Sequence, residues 1–198
     1  MIPPDPDNVL YSFAAARLDT FIKESTMKNL LMFCLSGLIA LGAQAADLKV
    51  GDPAPDFTLP ASDGKTYSLA DFKGKQAVVI AWFPRAFTSG CTVECKSLAE
   101  NGDLIRQYDV TYFMASVDPL AKNIEFAKET EADFPLLSDP DKEVAKAYGV
   151  LRMGSFASRE TFYIGVDGTI MKIDKDVTPA TSAQDMAANL GALGVARR

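Results

Sequence analysis

Two apolar runs of the chain predict the centre of a β-sheet. Residues 77–83 and 110–117 are short, continuous in apolar side chains and rich in β-branched and aromatic residues, as in strands buried on both faces. Two further segments, 97–107 and 120–130, place apolar residues at helical spacing. These positions are Leu98, Leu104 and Ile105 in the first segment, and Leu120, Ile124, Phe126 and Ala127 in the second. The alternation of strand and helix predicts βαβ units and a parallel sheet.

Shorter patterns predict the remaining elements. Residues 56–59 and 65–69 alternate like two strands around a turn and predict a hairpin. Residues 134–137 predict a short strand, and residues 141–148 predict a short helix that ends at Gly149. Residues 161–166 and 169–173 flank Asp167-Gly168, which predicts a hairpin with a two-residue turn. Residues 180–193 predict the last helix.

The loop between the first buried strand and the first helix carries two cysteines. Residues 84–96 place Cys91 at or near the N-terminus of the helix. The first turn of a helix has unpaired N–H groups and a partial positive charge, which stabilise a thiolate relative to a thiol. The thiolate is the nucleophilic form of cysteine. Glu94 opposes this effect unless a cation pairs with it, although an acidic residue there also complements the helix dipole.

Cys95 lies four residues after Cys91 and therefore on the same face of the predicted helix. Side chains at this spacing have Cβ atoms about 5–6 Å apart, whereas a disulfide needs about 3.5–4.5 Å. A bond between the two sulfurs would therefore require the first helical turn to unwind. The sequence predicts a reduced form with an intact helix start and an oxidised form in which that turn has melted.

Composition excludes several classes of function. The 198 residues carry a formal charge of −6 and no cluster of Lys or Arg that would bind phosphate, so nucleic acid is not expected as a partner. The chain has no histidine, which excludes Cys-His and Ser-His-Asp hydrolases and imidazole metal sites. Activation of Cys91 must therefore come from the helix end and from the side chain of an Arg or a Lys.

The N-terminal part of the chain predicts export. Residues 27–45 combine a basic start, an apolar core at 30–41 and an Ala-x-Ala cleavage site ending at Ala45, which are the three parts of a secretory signal. The apolar core is shorter than the roughly 20 residues of a membrane span. We expect cleavage after Ala45, with a retained signal anchor as the alternative. Met27 resembles an initiator, so residues 1–26 are interpreted as an extension from an upstream start. Cys34 would leave with the signal, and residues 46–198 would form one domain.

Several segments resemble the peroxiredoxin family. Pro84-x-x-x-Thr88-x-x-Cys91 is similar to the family signature. The segments 50–59, 136–150 and 158–164 resemble, in the same order, its opening strand, its central segment and the strand that carries its active-site arginine. Within the family, the compact chain and a second cysteine on the same helix are most similar to the bacterioferritin-comigratory, or Q-type, branch. The resemblance implies an α/β thioredoxin fold with an N-terminal β-hairpin and an inserted helix.

The resemblance also implies the roles of six site residues. They are Pro84, Thr88, Cys91, Glu94, Cys95 and Arg159. Pro84 would shield the thiolate, and the Thr88 hydroxyl would bond the incoming peroxide. Arg159 would contact Cys91, and Glu94 would pair with that arginine. Without the resemblance, Pro84 could simply end a strand, Thr88 could cap the helix and Arg159 could be a solvated charge. Arg85 and Arg152 are weaker candidates because neither matches the family's arginine position.

The resulting hypothesis is a thiol-dependent peroxidase that needs no metal or organic cofactor. Cys91 would attack the peroxide, and Cys95 would condense with the resulting sulfenic acid. Thioredoxin or another dithiol would reduce the disulfide, and the protein would be a monomer or weak homodimer without stable membrane association. Cys95 lies one residue closer to Cys91 than is usual in the branch, so a one-cysteine enzyme with Cys95 buried in the core stays open. A Cys-x-x-Cys type of disulfide oxidoreductase and a Sco-type copper-delivery protein are further alternatives, although the latter uses a histidine ligand.

Overall fold

A computed structural model describes residues 47–198. The strands are β1 (Thr58–Pro60), β2 (Thr66–Ser68), β3 (Ala77–Trp82), β4 (Val110–Ser116), β5 (Leu136–Ser138), β6 (Leu151–Arg152), β7 (Phe156–Ala157), β8 (Glu160–Ile164) and β9 (Ile170–Asp174). The helices are α1 (Ser89–Glu100), α2 (Asp103–Arg106), α3 (Leu120–Glu129), α4 (Glu143–Ala147) and α5 (Ser182–Ala192). Short 3₁₀ turns lie at Leu69–Asp71 and Pro179–Thr181. In this part of the chain, no helix is long and apolar enough to cross a membrane. The predicted extension at 1–26 and signal at 27–45 lie outside the described residues.

A five-stranded sheet in the order β5-β4-β3-β8-β9 forms the centre of the fold. β3 pairs in parallel with β4, and β4 pairs in parallel with β5, so the predicted βαβ units are confirmed. β8 pairs antiparallel with both β3 and β9. The hairpin β1–β2 precedes this sheet, as predicted, and β6–β7 forms a further two-stranded sheet. The mixed sheet with the N-terminal hairpin and the helix α3 between β4 and β5 is the architecture expected of the predicted thioredoxin fold.

The central strand β3 divides the core into two clusters. All of its six residues are buried, and alternate side chains point to opposite faces of the sheet. Val79 and Ala81 pack in the cluster that also contains Cys91, Cys95 and Leu98. The other cluster contains Val78, Ile80 and Trp82 together with Phe113, Tyr148 and Phe162. The cysteine helix α1 is therefore fixed against one face of the sheet by apolar burial.

The predicted helix at 97–107 is interrupted in the structure. α1 extends from Ser89 to Glu100, and the separate short helix α2 follows after Gly102. Leu104 belongs to the predicted apolar stripe but is 38% exposed, whereas Leu98 and Ile105 are buried as predicted. A Cβ atom on Gly102 would lie 2.6 Å from the hydroxyl oxygen of Tyr112. The missing side chain at this break thus makes room for Tyr112.

The apolar stripe predicted for α3 is only partly correct. Phe126 is fully buried, but Ile124 is 42% exposed. Asn123 is the second buried residue of this helix. Its side-chain amide donates a hydrogen bond to the carbonyl of Leu137 at 3.1 Å, and its Oδ1 accepts one from Ser116 at the same distance. Satisfied hydrogen bonds make burial of this polar side chain tolerable, so Asn123 and not Ile124 faces the sheet.

The hairpin turn between β8 and β9 is longer than predicted. The N–H of Gly165 donates to the carbonyl of Thr169, so three residues and not two close the loop. Gly168 has a φ of 85°, a left-handed conformation that suits glycine, and its N–H donates to the carbonyl of Gly165. A turn followed by a left-handed glycine is the usual form of a three-residue hairpin loop.

The short strand β5 also begins two residues later than predicted, at Leu136.

Candidate active site

Cys91 is the third residue of α1, as the sequence predicted for a thiol at a helix N-terminus. Thr88 occupies the N-cap position with extended backbone angles, and its carbonyl accepts the N–H of Thr92 at 2.9 Å. The side chain of Cys91 is fully buried, and both cysteines of the described chain are free thiols. The sulfur therefore lies in the part of the helix where unpaired N–H groups and the dipole favour negative charge.

Arg159 is the cation that contacts Cys91. It directly precedes β8, and its Nη2 donates to the Cys91 sulfur at 3.2 Å. Its Nη1 pairs with Oε2 of Glu94, which is completely buried one turn further along α1. The Arg159 side chain itself is 19% exposed. One guanidinium thus joins the thiol to the carboxylate, so the positive partner that Glu94 required is present.

The space around this guanidinium is narrow. A Cβ atom on Gly90 would lie 3.2 Å from Nη2 of Arg159, and it would also approach Pro179. Such a contact is tighter than nine in ten real Cβ contacts, so a side chain at this position would require the arginine to shift by a few tenths of an ångström. The absence of a side chain at Gly90 is therefore part of the site geometry.

Thr88 is placed beside the helix start but does not cap it with its side chain. Its hydroxyl donates to the carbonyl of Arg85 at 2.9 Å, and the residue is exposed. Because the hydroxyl proton is used in this bond, the oxygen lone pairs are available to accept a hydrogen bond from a ligand. The structure thus offers an acceptor at the entrance to the Cys91 loop.

Pro84 follows β3 and begins the loop that leads to α1, where it is half-buried. The loop is anchored by Asp118, whose Oδ2 accepts the N–H of Ala86 at 2.8 Å. The other oxygen of Asp118 pairs with Lys122 at 2.8 Å. Asp118 is a residue that the sequence analysis did not single out. Its position at the carboxyl end of the strand next to β3 was the signal that could have identified it.

The two other arginine candidates lie elsewhere. Arg85 is exposed in the loop. Arg152 pairs with the buried Glu160 at 2.8 Å and donates to the carbonyl of Gly149. Among residues 47–198, the arginine that donates to the Cys91 sulfur is Arg159.

Cys95 is buried one turn below Cys91. Its sulfur lies 3.1 Å from the hydroxyl oxygen of Thr130, the C-cap residue that directly follows α3. Burial raises the pKa of Cys95 to about 11, although the Thr130 contact acts in the opposite direction. Thr130 is a second residue that the sequence analysis did not single out. The intact helix between the two thiols agrees with the predicted reduced form.

Comparisons with known proteins place this geometry in a family. The family model described as AhpC/TSA matches residues 50–173. Peroxiredoxin Bcp of Escherichia coli (strain K12) is 38% identical over 136 residues, which cover 65% of this chain and 86% of the relative. The crystal structure of peroxidoxin BcpB from Mycobacterium tuberculosis is 30% identical, with a TM-score of 0.67 over 73% of this chain and 97% of that chain.

A more distant structure supports the fold alone. A PrxQ mutant of Xylella fastidiosa superposes with a TM-score of 0.69 at 23% identity and covers 75% of this chain and 99% of that chain. The thioredoxin-type architecture is thereby confirmed. The family match over residues 50–173 and the relative at 38% identity establish the rest: this chain belongs to the AhpC/TSA family as a peroxiredoxin of the Bcp type, and it is a thiol-dependent peroxidase.

Proposed function

We propose that Cys91 is the peroxidatic residue and reduces hydrogen peroxide and organic hydroperoxides. The observation that carries this assignment is the guanidinium of Arg159, which donates to the Cys91 sulfur at 3.2 Å while it pairs with Glu94. The thiolate attacks one peroxide oxygen, an S–O bond forms and the O–O bond breaks. The products are a sulfenic acid on Cys91 and water or an alcohol.

Arg159 and Thr88 orient the substrate in this proposal. Negative charge moves from sulfur to the leaving oxygen during the attack, and a fixed guanidinium beside the sulfur stabilises that charge in the transition state. The Thr88 hydroxyl accepts the O–H of the peroxide, because its own proton is already donated to Arg85. Pro84 limits the access of water to the sulfur, and Glu94 holds the guanidinium in position.

Cys95 is proposed to resolve the sulfenic acid. It is the second of the two thiols in the described chain, and it follows Cys91 on the same helix. Its attack on the Cys91 sulfur forms an S–S bond and releases hydroxide, which becomes water on protonation. The first turn of α1 unwinds to bring the sulfurs together. An external dithiol, of which thioredoxin is one example, then reduces the disulfide by exchange.

The complete burial of Cys95 favours a one-cysteine enzyme as the alternative. A thiol that is covered on all sides and hydrogen-bonded to Thr130 is also what a one-cysteine enzyme would contain. In that scheme an external thiol would attack the sulfenic acid directly. The two schemes differ in the product that follows the first oxidation.

The decisive experiment adds one equivalent of hydrogen peroxide to the reduced protein and maps its thiols by mass spectrometry without reductant. The proposal predicts a Cys91–Cys95 disulfide. Cys95→Ser should instead keep a sulfenic acid on Cys91, and Cys91→Ser should consume no peroxide at a significant rate. A lasting sulfenic acid in the unmodified protein, with Cys95 still free, would establish the one-cysteine scheme.

We also propose that the protein is exported and cleaved after Ala45, on the evidence of the signal-like residues 27–45. Cell fractionation and N-terminal sequencing of the isolated protein test this, and a product that retains residues 27–45 in the cytoplasm would contradict it.

A monomer or weak homodimer is proposed for the enzyme itself. Analytical ultracentrifugation at several concentrations checks the oligomeric state.

A further inference from the structure

The hydrogen bonds of Thr130 couple the end of α3 to Cys95. The Thr130 hydroxyl donates to the carbonyl of Phe126 at 2.7 Å, and its oxygen lies 3.1 Å from the Cys95 sulfur. With the single hydroxyl proton directed to the carbonyl of Phe126, the S–H of Cys95 donates in the second contact. Thr130 is itself only 2% exposed. The reduced enzyme thus holds Cys95 as a hydrogen-bonded thiol in a closed pocket.

The hydroxyl proton of Thr130 is free to change its partner. The carbonyl of Phe126 also accepts the backbone N–H of Thr130 at 3.0 Å. If the hydroxyl turns away, that carbonyl keeps a donor, and no buried acceptor is left without a partner. The same hydroxyl is already within bonding distance of the sulfur. It can therefore donate to Cys95 when the sulfur becomes negative.

We propose that Thr130 is a positioning residue for the resolving step: it accepts the S–H of Cys95 in the reduced enzyme and donates its own O–H to the sulfur when the thiolate forms. The proposal rests on the resolving role proposed above for Cys95. Cys95 lies one turn deeper in α1 than Cys91. Unwinding of the first turn can therefore bring Cys91 to a Cys95 that stays against Thr130.

Thr130 can bond either the thiol or the thiolate of Cys95, and the strengths of these two hydrogen bonds decide which form it favours. An S–H group is a weak donor, whereas a hydrogen bond to an ionised group is roughly twice as strong as a neutral one. Thr130 therefore stabilises the thiolate more than the thiol. Burial opposes ionisation and raises the pKa of Cys95 to about 11, and the Thr130 contact lowers it. Removal of the hydroxyl should consequently slow resolution.

A cleft opens beside Thr130, the residue that contacts the Cys95 sulfur. It has a volume of about 290 Å³ and lies between α1 and the end of α3, where Thr130, Lys96 and Glu131 are among its lining residues. Cys95 gives up its proton, and the thiolate then attacks the sulfenic sulfur of Cys91. The S–S bond forms as the S–O bond breaks, and the released hydroxide takes up a proton. The oxidant is the peroxide consumed in the first step.

The test compares Thr130→Val, which keeps the shape but lacks the hydroxyl, with Thr130→Ser, which keeps the hydroxyl. Reduced full-chain proteins are mixed with excess hydrogen peroxide, quenched at intervals and mapped by mass spectrometry at the peptide level. The measured quantities are the rate of Cys91 oxidation, the rate of Cys91–Cys95 disulfide formation and the amount of Cys91 sulfinic acid formed per turnover.

For Thr130→Val we expect Cys91 oxidation within about twofold of the unmodified protein and disulfide formation slower by about tenfold. Sulfinic acid should increase because the sulfenic acid persists longer. Thr130→Ser should recover most of the disulfide rate.

Three outcomes would overturn the proposal. They are an unchanged disulfide rate in Thr130→Val, an equal slowing of both steps, and a Thr130→Ser protein as slow as Thr130→Val. Absence of any disulfide in the unmodified protein would instead refute the resolving role of Cys95, and this inference with it.

Discussion

Substitution of Arg159 by glutamine is the sharpest perturbation of the site. It removes the donor 3.2 Å from the Cys91 sulfur and, in the same step, the partner of Glu94. A hydrogen bond to an ionised group contributes about 1.5–3 kcal/mol. Since about 1.4 kcal/mol corresponds to a factor of ten in rate, the reaction of Arg159→Gln with peroxide should be slower by about 10- to 150-fold.

The buried carboxylate adds a second effect. Glu94 has no exposed surface, and one of its oxygens has no hydrogen-bond partner in the described structure. Removing one member of a buried ion pair costs about 3–5 kcal/mol, because a charge is left without compensation. Arg159→Gln should therefore be less stable by roughly that amount. The remaining carboxylate should also repel the negative charge that develops on the leaving oxygen, which slows the reaction further.

The double substitution Glu94→Gln/Arg159→Gln is the matched control. It removes both charges, so its free energy of unfolding should recover most of the loss, and it should react with peroxide faster than Arg159→Gln but slower than the unmodified protein. Stopped-flow measurement of the second-order rate constant and urea unfolding monitored by circular dichroism provide the two quantities. A folded Arg159→Gln protein with the unmodified rate, or a double variant slower than the single one, would refute the reasoning.

Three further predictions concern the thiol that resolves, the substrate and the loop. The rate of disulfide formation, measured by quench-flow, should increase with pH and continue to increase above pH 9. Burial raises the pKa of Cys95 to about 11, so the thiolate fraction grows up to that pH. A rate that becomes constant near pH 8.5 would show that Cys95 is exposed before it attacks. Thr88→Val should lower kcat/KM for hydrogen peroxide by about tenfold through loss of one hydrogen bond, whereas Thr88→Ser should retain it, and equal values for the two variants would contradict an acceptor role. Asp118→Ala should lower the free energy of unfolding, measured by urea titration, by about 1–3 kcal/mol because the amide of Ala86 loses its acceptor. Asp118→Asn keeps an acceptor oxygen and should therefore lose less stability. Equal losses in the two variants would argue against the hydrogen bond between Asp118 and Ala86.

The sequence predicted the parts of the fold that depend on local pattern. The continuous apolar runs identified β3 and β4, and the Pro- and Gly-bearing loop correctly located Cys91 at a helix start. The family resemblance supplied the pairing of Arg159 with Cys91 and Glu94, which no local pattern contains. The structure now provides that contact.

The remaining features depend on contacts between distant residues. Asp118 binds an amide 32 positions earlier in the chain, and Thr130 binds a sulfur 35 positions earlier. Periodicity favoured Ile124 as a core residue of α3, yet the helix buries Asn123 because Ser116 and Leu137 satisfy its amide. A polar residue shows its buried role only when the partners from other strands are known.

Gly90 limits which substitutions the active site can accept. Its hydrogen takes the place where any larger group would press on the Arg159 guanidinium, and Glu94 holds that guanidinium from the other side. A methyl group at this position would therefore require the guanidinium to shift by a few tenths of an ångström. Homologous enzymes that carry alanine at this position should have to relocate the arginine or accept slower turnover. The lack of a side chain on this helix residue thus leaves room for an arginine that directly precedes β8.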